Sequence, residues 1–156
     1  MDIEWRFKSF VDLTKTELHE MMILRQQVFV VEQDCPYQDA DEKDKDSHHL
    51  LGYIDDSLVA YLRLVKPGVS YKEMSFGRIV TAQNQRGTGL GIALMNEGIE
   101  QSNQLYGTSV NRISAQSHLL PFYQKFGFKS TGKEYLEDDI PHTEMLLSKK
   151  KSIFDD

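Results

Sequence analysis

Three glycines at alternate positions, Gly87, Gly89 and Gly91, stand in the stretch QRGTGLGIAL, just where an apolar helical pattern begins. Each glycine costs roughly 0.5–1 kcal/mol of backbone entropy relative to alanine, so the spacing asks for a reason. A glycine-rich turn that ends a strand and opens a helix has one. The first N–H groups of the helix lack partners and carry partial positive charge, and without a Cβ the backbone closes on an anion. The chemistry implied is phosphate or pyrophosphate binding at Arg86, Gly87, Thr88, Gly89, Leu90 and Gly91, with the Arg86 side chain in support; the alternative is a tightly packed helix start. Two nucleotide patterns fail. G-x-G-x-x-G needs glycine at Ile92 or Leu94, and no Gly-Lys-Ser/Thr follows for a P-loop.

Other residue types bear on proton transfer. Tyr123 lies in FYQKFGF, and Glu73, His118 and His142 are titratable groups in or beside the motifs. Histidine changes charge near neutrality and is the commonest general base. Arg25 sits among Met21, Met22, Val28 and Phe29 at helical spacing, so it faces inward or toward a cleft. A buried arginine needs a carboxylate partner or a ligand, and Arg78 in a central strand raises the same question. The run Asp39, Asp41, Asp44, Asp46, His48, His49 fails EF-hand spacing, with Lys43 fifth, Asp44 sixth and Leu50 twelfth. It reads as a solvated acidic loop at the entrance for a cationic amine, and no metal is expected. Cys35 has no activating neighbour in sequence, and no G-x-S-x-G elbow occurs.

The elements that position these groups follow from periodicity. Trp5 to Phe10 alternates as a strand. Thr14 and Glu17 form a capping box ahead of a helix over 15–30. LLGYID and SLVAYLRLV flank Asp55-Asp56 as a hairpin. Met74 to Ala82 is a strand ending at the glycine loop, and a helix runs from about 90 to 106 with Gly107 as C-cap. Gly98 within it marks close packing. VNRISAQ is a strand. HLLPFYQKFGF is a short helix with Pro121 in its first turn and Gly127 as its stop. Strands over 129–136 and 143–147 complete an α/β layer fold with a mixed sheet.

The chain has 156 residues, net charge −6 and one cysteine. The length predicts one domain over 1–156. The acidic balance argues against nucleic acid as the main partner, and the basic run Lys149–Lys151 reads as a solvated tail. No apolar run reaches the roughly 20 residues of a membrane helix. MDIEWRFKSF lacks the basic and apolar regions of a secretory signal, so a reducing cytoplasm is expected, and no membrane partner.

Arg86, Gly89 and Gly91 fit Arg/Gln-x-x-Gly-x-Gly/Ala, which resembles the acetyl-CoA loop of the GCN5-related N-acetyltransferases (GNAT). The resemblance extends to the preceding RIVTA and the later ISAQSHLLPFYQKFGF, in which Tyr123 followed by KFGF is similar to that superfamily's second signature. LRQQVFVVEQDCPYQDADEKD, AQSHLLPFY and YLEDDIPHTEM resemble its ElaA-like branch, so nearly the whole chain is covered. The resemblance implies an α/β (α+β) fold with a mixed, mostly antiparallel sheet flanked by helices. It also implies a splayed strand pair in which pantetheine pairs with the backbone of Ile79, Val80 and Thr81. Gln83 stands where proline is frequent, and Gln116 where the family often has asparagine on the cofactor. The implied activity is direct transfer of acetyl from acetyl-CoA to a primary amine of a small molecule or peptide. A backbone N–H serves the oxyanion and Tyr123 protonates the departing thiolate. Glu73, His118 and His142 are the base candidates, and Arg25, Glu32, Gln33 and Arg78 are placed at the substrate end. Gly89 and Gly91 should tolerate no Cβ. Two alternatives stand beside this: an acyl-homoserine-lactone-synthase-like acyltransferase, which shares the LR…VF helix, and a non-catalytic acyl-CoA-binding module. Family habit implies a monomer or a homodimer.

Overall fold

A computed structural model describes residues 2–148; the Lys149–Lys151 run lies outside them. Strand β1 (Glu4–Ser9) leads to helix α1 (Lys15–Arg25). The capping box forms: the Glu17 amide donates to Thr14 Oγ1 at 3.0 Å, and the Thr14 amide donates to Glu17 Oε1 at 2.9 Å. Arg6 and Lys8 of β1 also reach the Glu17 carboxylate, tying helix start to sheet and holding that carboxyl near about 2 against its desolvation. The helix predicted over 15–30 keeps α geometry only to Arg25 and continues to Glu32 in wider π-helical turns. Such turns are frequent at functional sites, and here they carry Glu32 to the cleft described below.

β2 (Ser47–Ile54) and β3 (Ser57–Val65) form the expected hairpin, turning at Asp55 and Asp56 with φ of 48° and 64°. Aspartate tolerates this left-handed region better than most residues. β4 (Ser75–Thr81) completes an antiparallel sheet ordered β1-β2-β3-β4. The glycine loop then enters helix α2 (Leu90–Tyr106), closed by Gly107 at φ 69°. β5 (Asn111–Gln116) and the short helix α3 (Leu120–Gln124) follow, with Pro121 in the first turn of α3. β6 (Lys129–Glu137) and β7 (Ile140–Leu147) make a second antiparallel sheet ordered β5-β7-β6. β7 starts three residues earlier than the predicted 143, because Asp138 and Asp139 (φ 50° and 62°) close a tight hairpin and bring Ile140 opposite Glu137.

The hydrophobic pattern fixes the layers. Leu50, Leu62, Leu64 and Phe76 pack on one face with Leu94, Met95 and Ile99 of α2. The alternate residues Leu51, Tyr53, Tyr61 and Val80 pack on the other face with Met21, Leu24 and Val28. Period-two alternation thus puts α1 and α2 on opposite sides of the first sheet. Gly98 is where α2 approaches most closely: a Cβ there would lie 2.7 Å from Leu62 Cδ2.

The two sheets meet at one end only. A parallel bridge joins Met74 to Asn111, and the Phe76 amide donates to Asn111 Oδ1 at 3.0 Å. Beyond that seam β4 and β5 have no ladder between them. The mixed, mostly antiparallel sheet with a splayed strand pair is therefore present as two antiparallel sheets, joined by that one parallel bridge and opening as a V.

Candidate active site

The V encloses a cavity of about 730 Å³. One wall is β4, from Ser75 to Thr81; the other is β5 and α3, with Ile113, Gln116, Phe122 and Tyr123. β4 is the edge of its sheet on this side, so its backbone there is open to pairing with an extended chain. A bulge sharpens the opening. Gly77 pairs with Arg63 and Val80 with Tyr61, so Arg78 and Ile79 face one β3 residue, and Arg78 takes φ 50°. Bulges bend a strand and re-aim side chains. Here the Arg78 guanidinium is turned onto Asp39, with Nε 2.8 Å from Oδ1.

At the end of β4 the chain makes the glycine turn. Gly87 and Gly89 have φ of 80° and 85°, the left-handed region that favours glycine. Gly89 is the N-cap of α2, and the first amide bonded within the helix is Ala93, to Gly89 O at 3.1 Å. The amides of Leu90, Gly91 and Ile92 precede that ladder, as an anion cradle requires. Thr88 Oγ1 donates to Gln85 O at 2.6 Å and braces the turn. The Leu90 side chain is buried in the core, 1% exposed, so only its backbone faces the cradle. At Gly91 the expectation is corrected. A Cβ there would rest 3.6 Å from Phe122 ring atoms, an ordinary contact, and the backbone is not left-handed. The protein itself leaves room for alanine at 91.

Arg86 and Gly91 line the cavity, as do Ile79, Val80, Thr81 and Gln116. Together they fit an extended chain of amides ending in a pyrophosphate: an unpaired strand edge, then a run of helix N-terminal amides. Arg86 is held by Glu32, Nη1 to Oε2 at 2.6 Å and Nη2 to Oε1 at 3.0 Å. Next to it, Gln33 comes within 3.5 Å of Gln116 across the cleft. The π-helical turns thus put two side chains over the opening.

Tyr123 lines the cavity and is 7% exposed. Its ring packs edge-on against Phe122 and Phe128. Burial pushes the phenol up to about 12, and its hydroxyl makes no hydrogen bond to a described residue. It is a protonated donor with a free O–H. Among the base candidates, His118 and His142 line the cavity. Glu73 does not; both its oxygens accept from Arg112 at 3.0 Å, which holds the carboxyl below its usual range.

The substrate-end residues divide. Glu32, Gln33 and Arg78 line the cavity. Arg25 does not. It is wholly buried, and each of its five N–H bonds points at an acceptor within 3.5 Å: Asp39 Oδ2, Asp39 O, Asp44 Oδ1, Asp44 Oδ2 and the Tyr61 hydroxyl. Of its two sequence readings, the ion pair is the one the geometry builds. The acidic loop is corrected with it. Asp39 and Asp44 are 4% and 5% exposed, because Arg25, Arg63 and Arg78 stand against Asp39, Asp41 and Asp44 in a neutral network. His49 completes it. Its Nε2 donates to the Asp44 carbonyl at 2.9 Å, which leaves Nδ1 to accept from the Tyr61 hydroxyl at 2.7 Å. Sequence reasoning missed Arg63, although a lone charge inside the apolar run SLVAYLRLV signals a buried partner. Among the described residues, no group of three or more His, Cys, Asp or Glu is placed to hold a metal ion, and no helix is long and apolar enough to cross a membrane.

The chain is similar to known proteins over nearly all its length. The model of the acetyltransferase (GNAT) domain matches residues 12–149. A UPF0039 protein of Synechocystis is 45% identical over 94% of this chain and 96% of its own. Protein ElaA of Escherichia coli is 39% identical over 92% and 95%, respectively, and its crystal structure superposes with a TM-score of 0.86. The structure of an acyl-CoA N-acyltransferase from Pseudomonas aeruginosa, 41% identical, gives a TM-score of 0.88 over 93% of this chain and 99% of that one. With this similarity and the splayed strands that the fold displays, the chain belongs to the GNAT acetyltransferase family, in its ElaA-like branch.

Proposed function

We propose that the protein transfers the acetyl group of acetyl-CoA directly to a primary amine of a small molecule or peptide, acting in the cytoplasm as a monomer or a homodimer. The observation that carries this reading is the unpaired β4 edge, which leads into the glycine turn and lines one cavity with a buried, protonated Tyr123 on the other wall. The thioester supplies an activated acetyl carbon, and everything else falls to this chain. Ile79, Val80 and Thr81 offer backbone groups to the pantetheine amides, and the glycine turn from Gly87 to Gly91 presents the first amides of α2 to the pyrophosphate. In this reading a backbone N–H of the bulged strand meets the negative charge developing on the carbonyl oxygen. The Tyr123 hydroxyl, free of other partners, gives its proton to the sulfur as the bond to carbon breaks. Thiols are acids near 8.5, so a phenol that stays protonated is available throughout the neutral range.

Release of free thiol from acetyl-CoA, followed across a panel of primary amines, tests the reading. Amine-dependent release with a matching acetylated product is expected. Tight acetyl-CoA binding without release for any amine would instead favour the binding-module alternative.

A further inference from the structure

Of the three side chains offered for removing a proton, one is held in the cavity in a fixed orientation. Glu73 is outside the lining and committed to Arg112. His118 is exposed and bonded to no described residue. His142 is 7% exposed and stacks on Tyr135 with ring centres 6.1 Å apart at 17°. The Tyr135 hydroxyl donates to Ser114 of β5, fixing the stack to the cleft wall. His142 Nδ1 lies 2.7 Å from the carbonyl oxygen of Ile140. A carbonyl only accepts, so Nδ1 carries the hydrogen, and Nε2 is the atom free to gain or lose a proton. That Nε2 faces the Glu137 carboxylate at 3.2 Å. A cation arriving there meets a ring lone pair and a carboxylate together.

The charges around the cavity agree. Its lining carboxylates include Asp41, which is held by Arg63 and Arg78. Glu137 and Asp138 line it with no arginine or lysine partner among the described residues. The Glu137 side chain is 55% exposed and free to turn toward a ligand.

We infer that Glu137 and His142 form the receiving site for the acceptor, and that the acceptor arrives as an alkylammonium ion. This rests on the acetyltransferase reading above. Glu137 accepts one N–H of the ammonium, and His142 Nε2 takes another as a proton, becoming an imidazolium that Glu137 then pairs. The freed nitrogen lone pair forms the C–N bond as the C–S bond breaks. Tyr123 gives its proton to the sulfur and regains one from the nitrogen. The imidazolium returns its proton to solvent, so the sum is ammonium plus thioester giving amide, thiol and one proton. An alkylammonium holds its proton to about pH 10.4, which is why this class needs a base.

The test compares 1,4-diaminobutane and other alkylamines with hydroxylamine, an acceptor mainly uncharged at pH 7.5, using thiol release by the whole chain. His142→Gln should lower kcat with alkylamines by roughly 100-fold and leave hydroxylamine within about threefold. Glu137→Gln should raise KM for alkylamines roughly tenfold, with kcat little changed. Acetyl-CoA affinity should be unaltered in both variants, which a folding defect would not allow. Equal loss with both acceptor types, or no loss, overturns the inference. So does a wild-type chain that acetylates hydroxylamine yet uses no alkylamine. A wild-type chain that uses neither acceptor type, or that fails to bind acetyl-CoA at all, would instead overturn the acetyltransferase reading itself.

Discussion

Burial acts on Tyr123 and His49 with one result: each is kept neutral. For Tyr123 this preserves a proton donor, its phenol pushed up to about 12. Tyr123→Phe keeps the ring packing against Phe122 and Phe128 and removes only the hydroxyl. It should lower kcat by roughly 100-fold or more while calorimetry finds acetyl-CoA affinity within a factor of about two; undiminished turnover would remove Tyr123 as the acid. For His49 the consequence is stability. Desolvation pushes the ring down to about 4, so between there and its ordinary 6.5 the unfolded chain takes up a proton that the native chain does not. Stability is therefore complete above pH 6.5 and is lost as pH falls toward 4, by about 3 kcal/mol from this group. His48 is pushed the same way, and Glu17, held near about 2, adds its own loss below 4.5. Thermal melts should show a flat Tm above pH 7 and a fall from pH 6.5 to 4, shallower in His49→Gln; a Tm that is flat across that window would contradict this reading.

At the scale of elements, the Arg25 network decides how the loop after α1 reaches the cleft. It turns the segment from Asp39 to Asp44 inward against β3 and β4, where Asp41 and Arg78 line the cavity. Arg25→Met leaves Asp39 and Asp44 buried without their best partner and should cost about 3–5 kcal/mol, read from denaturant unfolding. Arg25→Lys should restore little of it, because an ammonium lacks the five-donor fork. The glycine turn gives the converse case. Gly91→Ala should leave Tm nearly unchanged, since its Cβ meets only ordinary contact with Phe122. Weakened acetyl-CoA affinity in that variant would then report close approach of the ligand rather than the fold. Most elements were legible in the sequence because their signals are local: the capping box at Thr14, the Asp55-Asp56 turn, Pro121 and the glycine loop. The burial of Asp39 and Asp44 was not. Their composition looks solvated, and the three arginines that draw them in come from three separate elements. The π-helical turns after Arg25 were equally invisible, since the apolar spacing there reads as ordinary helix.

Across the whole molecule, the cleft follows from the way two sheets join. Asn111 ties β5 to β4 at Phe76 and Met74, and past that seam each of these strands is an unpaired edge of its own sheet. Periodicity cannot reveal such a splay, because β4 and β5 each carry normal strand patterns. It became an expectation through the resemblance of the loop and FYQKFGF to a family. Much of the candidate site lies along this opening, with Arg86 and Gly91 of the glycine turn after β4, Tyr123 on α3 and His142 on β7 all lining it. A ligand laid along the unpaired β4 edge would bridge the two sheets as an added strand, so its affinity depends on the cradle holding its far end. Gly89→Val places a branched side chain at φ 85°, a strain of about 1–3 kcal/mol that a fold of ordinary stability survives, and it obstructs the cradle. The most direct measurement is calorimetric titration of acetyl-CoA into the wild-type chain and Gly89→Val, with circular dichroism confirming that both are folded. The cleft described here predicts saturable one-to-one binding by the wild type and none by the variant; no binding by the wild type, or equal binding by both, would contradict it.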